Sequence, residues 1–362
     1  MDLEELFTDD PTELPRSSEQ LLLEGSIDES EHRPPVLIVG AGLSGLVAAN
    51  ALAAGGRRSI VLDKGRSVGG RLATRRMSGL DGRAALLDHG AQFFTVRSPD
   101  FAELVHDWRR AGVVREWCRG FTGNGDGYPR YCAEGGMSTI AKLLGATADV
   151  ECGVELRSVA GFDSLLSLTT EDGRRWESDS VILTPPVPQS LALCENGWLP
   201  LPEEAEASLR AVTYVPCFAL LVTLDRPSGI PYPGGLQLTV DDDDIFSFVG
   251  DNLAKDISEV PAVTFHTNDS FSLTHFDDNA DTLRTYLLDA AQHYLGEAKV
   301  VNAELKRWKF ARPVAGHHSL CLPVEPLPGT TLVFAGDAFG AAKMESAALS
   351  GLAAAEAILL AG

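Results

Sequence analysis

Two periodicities alternate along the chain. Val36-Leu37-Ile38-Val39 is a short apolar run of β-type residues, closed upstream by Pro34-Pro35. Leu43, Val47, Ala48 and Leu52 then recur at helical spacing, and Gly55-Gly56 stops that helix before a second run, Ser59-Ile60-Val61-Leu62. The pattern predicts strand, helix, strand. Ser98-Pro99-Asp100 predicts a helix start, with a cap hydroxyl, a proline at the first helical position and an acid near the dipole. Phe101, Leu104, Val105 and Trp108 form its apolar face. A short helix is expected from about Met137 to Leu144, then strands over 150–159, 165–170 and 181–184, the last stopped by Pro185-Pro186.

From Leu201 the texture changes to longer β-rich runs at 217–224, 236–240, 245–249 and 262–266, which predict a separate antiparallel sheet. An amphipathic helix follows over 281–295, with Leu283, Leu287, Ala291 and Tyr294 on one face. The chain then returns to its first texture, an apolar strand from Thr331 ending at Gly336-Asp337 and an alanine-rich helix over 346–360.

The turn inside the first strand-helix-strand unit is Gly40-Ala41-Gly42-Leu43-Ser44-Gly45. Gly40 permits the tight turn, Gly42 lets the backbone approach a pyrophosphate, and Gly45 lets the helix lie close to the strand. Free N–H groups at the helix start face the phosphates, and Asp63 stands where a carboxylate accepts the hydroxyl hydrogens of an adenosine ribose. Together these predict a dinucleotide site. Lys64 to Thr74 adds a second glycine-rich loop with two arginines, suited to the far side of a pyrophosphate or a flavin edge. Asp88 to Thr95 places polar and aromatic side chains where they can face a planar ring, and Asp337 can hold ribityl hydroxyls.

Composition narrows the partners. The 362 residues suggest two domains or one large α/β unit. The net charge of −21 argues against nucleic acid or an acidic membrane surface. Residues 1–34 hold eleven Asp or Glu against two Arg and are expected to be a disordered extension. Six cysteines without a metal-ligand spacing read as buried free thiols, which suits a cytoplasmic location. Asp241 to Asp244 reads as a solvated hairpin turn, so no metal is expected. No apolar run is read as reaching the length of a membrane span.

With the first glycine fingerprint, Gly69-Gly70-Arg71-Leu72-Ala73-Thr74, Asp88 through Thr95, Gly135-Gly136-Met137, Arg307-Trp308 and Gly336-Asp337-Ala338-Phe339 in hand, the chain resembles the FAD-dependent amine-oxidase superfamily. Within it the resemblance is to the renalase family and runs from about Val36 to the C-terminus. It implies an α/β fold: a Rossmann-type FAD-binding domain over 35–86, 137–190 and 306–362, with an inserted, mainly antiparallel β substrate domain over 87–136 and 191–305. It implies noncovalent FAD held by Gly40, Gly42, Leu43, Ser44, Gly45, Asp63, Lys64, Gly70, Arg71, Leu72, His89, Gly90, Ala91, Gln92, Val154, Gly336, Asp337, Ser346 and Ala347. Trp308 is read as core.

The same resemblance implies oxidation of a small dihydropyridine, an aberrant isomer of NAD(P)H. Hydride passes to flavin N5, O2 is the acceptor and hydrogen peroxide the product. His266 and Asn252 are the groups expected to orient this substrate. Asp251 and Val263 depart from the family pattern and put specificity in question. An amine oxidase is the alternative, disfavoured because Ala311 to Thr331 contains no Phe, Tyr or Trp for a cage. A flavin-binding redox sensor without turnover is the alternative from another class.

Overall fold

The computed structural model describes residues 33–121 and 126–361. Almost all of the acidic extension over 1–34, with the disorder expected of it, lies outside the described residues. The first third of the chain gives β1 (Val36–Val39), α1 (Leu43–Ala54), β2 (Ser59–Asp63), β3 (Thr74–Ser78), β4 (Ala84–Asp88), α2 (Pro99–Arg110), β5 (Val114–Cys118) and β6 (Arg130–Ala133). Next come α3 (Ser138–Gly145), β7 (Val150–Cys152), β8 (Leu156–Phe162), β9 (Leu165–Thr170), β10 (Arg175–Ser178), β11 (Ser180–Leu183), α4 (Val187–Asn196) and α5 (Glu203–Arg210). The remainder is β12 (Thr213–Leu224), β13 (Gly235–Gln237), β14 (Phe246–Asp251), β15 (Ala262–Thr267), α6 (Asp269–Thr274), α7 (Ala280–Leu295), β16 (Val300–Ala315), β17 (Leu322–Val324), β18 (Thr331–Phe334) and α8 (Met344–Ala361).

β1 is the middle of a six-stranded sheet, ordered β17-β18-β11-β1-β2-β7 and parallel except at the β17 edge. All four of its residues are buried, as a parallel strand covered on both faces requires. Alternation sends Val36 and Ile38 into the core shared with α1 and α8, and Leu37 and Val39 into the core under β8, β9 and α4. α1 is buried on nearly every side because α8 covers it: a side chain at Gly351 would run into the Ser44 carbonyl, so only glycine permits that crossing.

A second, five-stranded antiparallel sheet is ordered β13-β14-β15-β12-β16. Phe218, Leu220 and Val222 of β12 point to the face covered by Leu283, Leu287, Ala291 and Leu295 of α7. Ala219 and Leu221 point the other way, onto the β3-β4 hairpin. His266 shares the period of Ala262 and Thr264 on β15, which is the inward face. β12 and β16 pair along almost their whole length, with a register shift between Val215 and Cys217. Pro216, lacking an N–H, sits at that shift.

The structure corrects several expectations. Residues 150–159 are two strands: at Gly153, φ +74°, the chain leaves the parallel sheet, with Gly153 and Val154 donating to the carbonyls of Gly65 and Asp63 at 2.8 and 2.9 Å. The boundary at 306 falls inside β16, which cannot be divided without breaking its ladder to β12. The boundary at 190 falls inside α4, whose Leu191 and Cys194 belong to the core below β1. Phe94, Phe101, Val105 and Trp108 pack into the α1 core, so 87–136 is not purely substrate domain. Pro34–Gly362 forms a single compact unit. Cys152 is exposed, although all six cysteines are free. α8 is long and apolar enough to cross a membrane by length and composition, contrary to the reading of the runs, but it buries Ala348, Gly351, Ala354, Ala355 and Ile358 inward.

Candidate active site

The two glycine loops are tied together before any ligand is considered. Asp63 accepts from Ala41 N in the first loop and from Gly65 N in the second, both at 2.6 Å, and Gly69 N donates to Ala41 O at 2.8 Å. A carboxylate has about four acceptor positions, so two bonds leave capacity for ribose hydroxyls. Gly40 takes φ +101°, and a Cβ on Gly42 would meet nothing within 4 Å because that position opens onto a cavity. The Ser44 hydroxyl, buried at the start of α1 on the same wall, has no hydrogen-bond partner.

The cavity, about 1180 Å³, runs between the parallel sheet and the antiparallel one. Arg71 crosses it to Asp337, making two parallel bonds to the carboxylate, one of them 2.7 Å, and reaches the Phe310 carbonyl at 3.3 Å. The sequence suggested separate partners for these two residues; the fold pairs them.

Asp88 anchors the next part of the wall. Its Oδ1 accepts from Thr74 Oγ1 at 2.7 Å and from Met137 N at 2.8 Å, and its Oδ2 accepts from Lys255 Nζ at 2.8 Å, with both ion-pair side chains fully buried. Gly136 must be glycine here: its φ is +98° and a Cβ would lie 2.9 Å from Asp88 Oδ1. His89 follows directly, its ring stacked on Trp308 with centroids 5.4 Å apart and planes inclined by 22°. At Gly90 a side chain would collide with the Arg71 carbonyl.

From the antiparallel sheet come His266, Ser247, Val215, Cys217 and the β16 residues Trp308 to Pro313. Burial, reinforced by the charge of Lys306, holds His89 down at about 4. Burial also lowers His266 to about 4, with His89 and Lys255 adding to the effect. Both rings are therefore neutral near pH 7. His89 Nδ1 and His266 Nε2 have no hydrogen-bond partner.

Most residues expected to touch the cofactor line this cavity: Gly40, Gly42, Leu43, Ser44, Asp63, Lys64, Gly70, Arg71, Leu72, His89, Gly90, Ala91, Val154, Gly336, Asp337 and Ala347. Four expected site residues do not. Gly45 serves helix packing, since a Cβ there would strike the Gly40 carbonyl. Gln92 turns away to donate to the Asp88 carbonyl at 2.7 Å. Ser346 is buried on α8 beside Gly340. Asn252 is fully buried, with its amide donating to Thr264 Oγ1 at 3.1 Å and Ala262 O at 3.3 Å, so it braces the wall from behind the cavity lining. Trp308, read as core, packs half-buried against the core between β12 and the β3-β4 hairpin and also lines the cavity, where its N–H donates to the His89 carbonyl at 2.8 Å. Its place on a strand after Arg307 was the available signal.

Three cations, Lys309 and Arg312 on β16 and Lys343 in the loop before α8, also line the cavity, and Arg312 is ion-paired to Asp269.

The donor set fits an FAD. An unpartnered Ser44 hydroxyl and a helix start suit a phosphate, Gly42 leaves room for it, Asp63 suits a ribose and Asp337 a ribityl chain. Comparison with known proteins agrees. Mouse (Mus musculus) renalase is 24% identical over 296 residues, covering 76% of this chain and 84% of renalase. A 62-residue stretch, 17% of this chain, is 48% identical to lysine-specific histone demethylase 1 homolog 1 of Arabidopsis thaliana, spanning only 7% of that protein. A structure from Exiguobacterium sp. 255-15, assigned as a protoporphyrinogen oxidase, superposes with a TM-score of 0.69 at 14% identity, over 90% of this chain and 99% of the other. An NAD(P)-binding Rossmann-like domain matches residues 38–108. Since the sequence model for flavin containing amine oxidoreductases matches residues 102–359, the chain belongs to that family and is an FAD-dependent oxidoreductase.

Proposed function

We propose that the protein oxidises a small dihydropyridine, an aberrant isomer of NAD(P)H, with O2 as acceptor and hydrogen peroxide as product. The observation that carries this reading is the charge at the antiparallel end of the cavity. Lys309 and Arg312 of β16 line it there, Arg312 paired with Asp269, and Lys343 lines it from the loop before α8, in a chain whose net charge is −21. An ammonium substrate is repelled by such a rim; the phosphates of a nucleotide are attracted.

When bound, FAD supplies a hydride acceptor at N5 and passes the electrons on to oxygen. The chain's own residues orient and shield. A dihydropyridine gives up its hydrogen with both electrons, so no base is required, and two histidines that stay neutral suit that chemistry. The free nitrogens of His89 and His266 offer hydrogen bonds to a carboxamide, while Trp308 supplies a flat wall for the ring. Noncovalent cofactor is part of the proposal: among the described residues Cys217 is the cysteine on the cavity wall, and burial pushes its thiol up to about 12, far from a reactive thiolate.

The amine-oxidase reading has one specific observation on its side. Trp308 and Phe310 put two aromatic rings on the wall, upstream of the segment 311–331 that lacks Phe, Tyr and Trp. Anaerobic mixing of the yellow protein with dihydronicotinamide isomers, NADH, NADPH and a panel of amines separates the two. Fast bleaching by an isomer supports the proposal; fast bleaching by an amine alone refutes it.

A further inference from the structure

Lys255 is a lysine with no exposed surface, on the loop after β14, and its ammonium reaches Asp88 Oδ2 at 2.8 Å. Burying both charges is costly, and a well-packed apolar pair serves stability as well or better. Its location gives the pair a use. Asp88 directly precedes His89 on the cavity wall and is bonded to Thr74, to the N-terminal side of α3 through Met137 N, and through its backbone carbonyl to Thr264 on β15 at 2.9 Å. Trp117 covers the ammonium, its ring centroid 5.4 Å away, and the Arg115 guanidinium holds the Lys255 carbonyl.

We propose that Lys255 is a positioning residue for the cavity: paired with Asp88, it pins the His89 wall to the antiparallel sheet and cancels a carboxylate charge that would otherwise draw protons onto His266. Geometry supports both halves. The pair links β4 to the loop after β14, His89 directly follows Asp88, and His266 lies two residues along β15 from Thr264, whose hydroxyl donates to the Asp88 carbonyl. The charged groups that act on His89 are Lys306, Asp88, Arg75 and Glu304; those that act on His266 are His89, Lys255 and Asp88. Lys306 and Arg75 are themselves engaged with Glu304. Asp88 and Lys255 are thus the opposed pair felt by His266, and removing one leaves the other uncompensated.

The test follows the histidine ring protons of the FAD-loaded protein by NMR over pH 4 to 8, with His89→Gln and His266→Gln used for assignment. Lys255→Gln, which keeps a hydrogen bond but loses the charge, should move the His266 titration upward by about one pH unit or more. Lys255→Gln combined with Asp88→Asn should return it to the wild-type position, as should Lys255→Arg alone. A role confined to stability predicts lower melting temperatures with unmoved titrations, and that result overturns the proposal. So does an upward shift that persists in the double variant. Should Lys255→Gln not fold, the double variant and Lys255→Arg still decide: a histidine titrating near its ordinary value in either refutes the cancellation.

Discussion

The Trp308 indole N–H donates to the backbone carbonyl of His89 at 2.8 Å while the two rings stack, so one residue of the antiparallel sheet both supports and fixes the cofactor-side wall. Trp308→Phe keeps a ring and removes the donor. It should cost about 0.5–1.5 kcal/mol of stability, and flavin reduction should slow by up to about 100-fold if the wall shifts by about 1 Å. Thermal melting and anaerobic stopped-flow measure the two effects; unchanged reduction would show that this wall does not position the reactants.

The glycine fingerprint separates into two kinds of residue. At Gly42 a side chain enters open cavity, and the backbone, at φ −81°, accepts one. Gly42→Val should therefore fold normally and come off the column colourless. Gly45→Val drives a side chain into the Gly40 carbonyl and should destabilise by about 1–3 kcal/mol or more. Circular dichroism melts and the absorbance of the bound flavin read the two outcomes independently. A yellow Gly42→Val protein would remove the pyrophosphate from this turn.

The strand, turn and helix of that unit were legible because each carries its own period and its own punctuation. β16 was not. Its sequence alternates charged and apolar residues, its side chains are divided between half-buried and exposed, and it is held by the apolar β12 beside it. α4 was hidden by Pro185-Pro186, which stop a strand and also begin a helix, with Pro188 in its first turn. The cofactor motifs pointed to the cavity, since glycine turns are local. The Arg71–Asp337 and Lys255–Asp88 pairs join residues 266 and 167 positions apart, and no local pattern announces them. Asn252 shows the converse: a polar residue near the site whose hydrogen bonds are already taken by Thr264 and Ala262.

Acid should weaken the fold through the same histidines. His89 and His266 are held at about 4 in the folded chain, below the ordinary 6.5, so between those values the unfolded chain binds more protons. Stability then falls as pH drops from about 6.5 to 4. Burial lowers His317 as well, which adds to the fall in stability below 6.5. The melting temperature of wild type should decline across it, and a His89→Gln, His266→Gln double variant should decline less. Parallel curves for the two proteins would contradict the neutral, buried state of these rings.

The last prediction concerns the rim. Lys309 and Lys343 are exposed, and Arg312 is half-exposed and shared with Asp269, so each charge acts through a screened medium. Single replacements by alanine should raise KM for a phosphate-bearing dihydropyridine by a few-fold, about 0.2–1 kcal/mol each, with little change in the limiting rate of flavin reduction. Asp269→Asn should act in the opposite direction, because it frees the Arg312 guanidinium. An uncharged N-alkyl dihydronicotinamide should respond to none of these changes, and added salt should weaken only the phosphate-bearing donor. For an amine substrate every sign reverses: removing a cation would lower KM, and Asp269→Asn would raise it. Steady-state kinetics at two salt concentrations therefore decide the class of donor from the direction of the effects, and a KM that falls in Lys309→Ala or Arg312→Ala would rule out the anionic one.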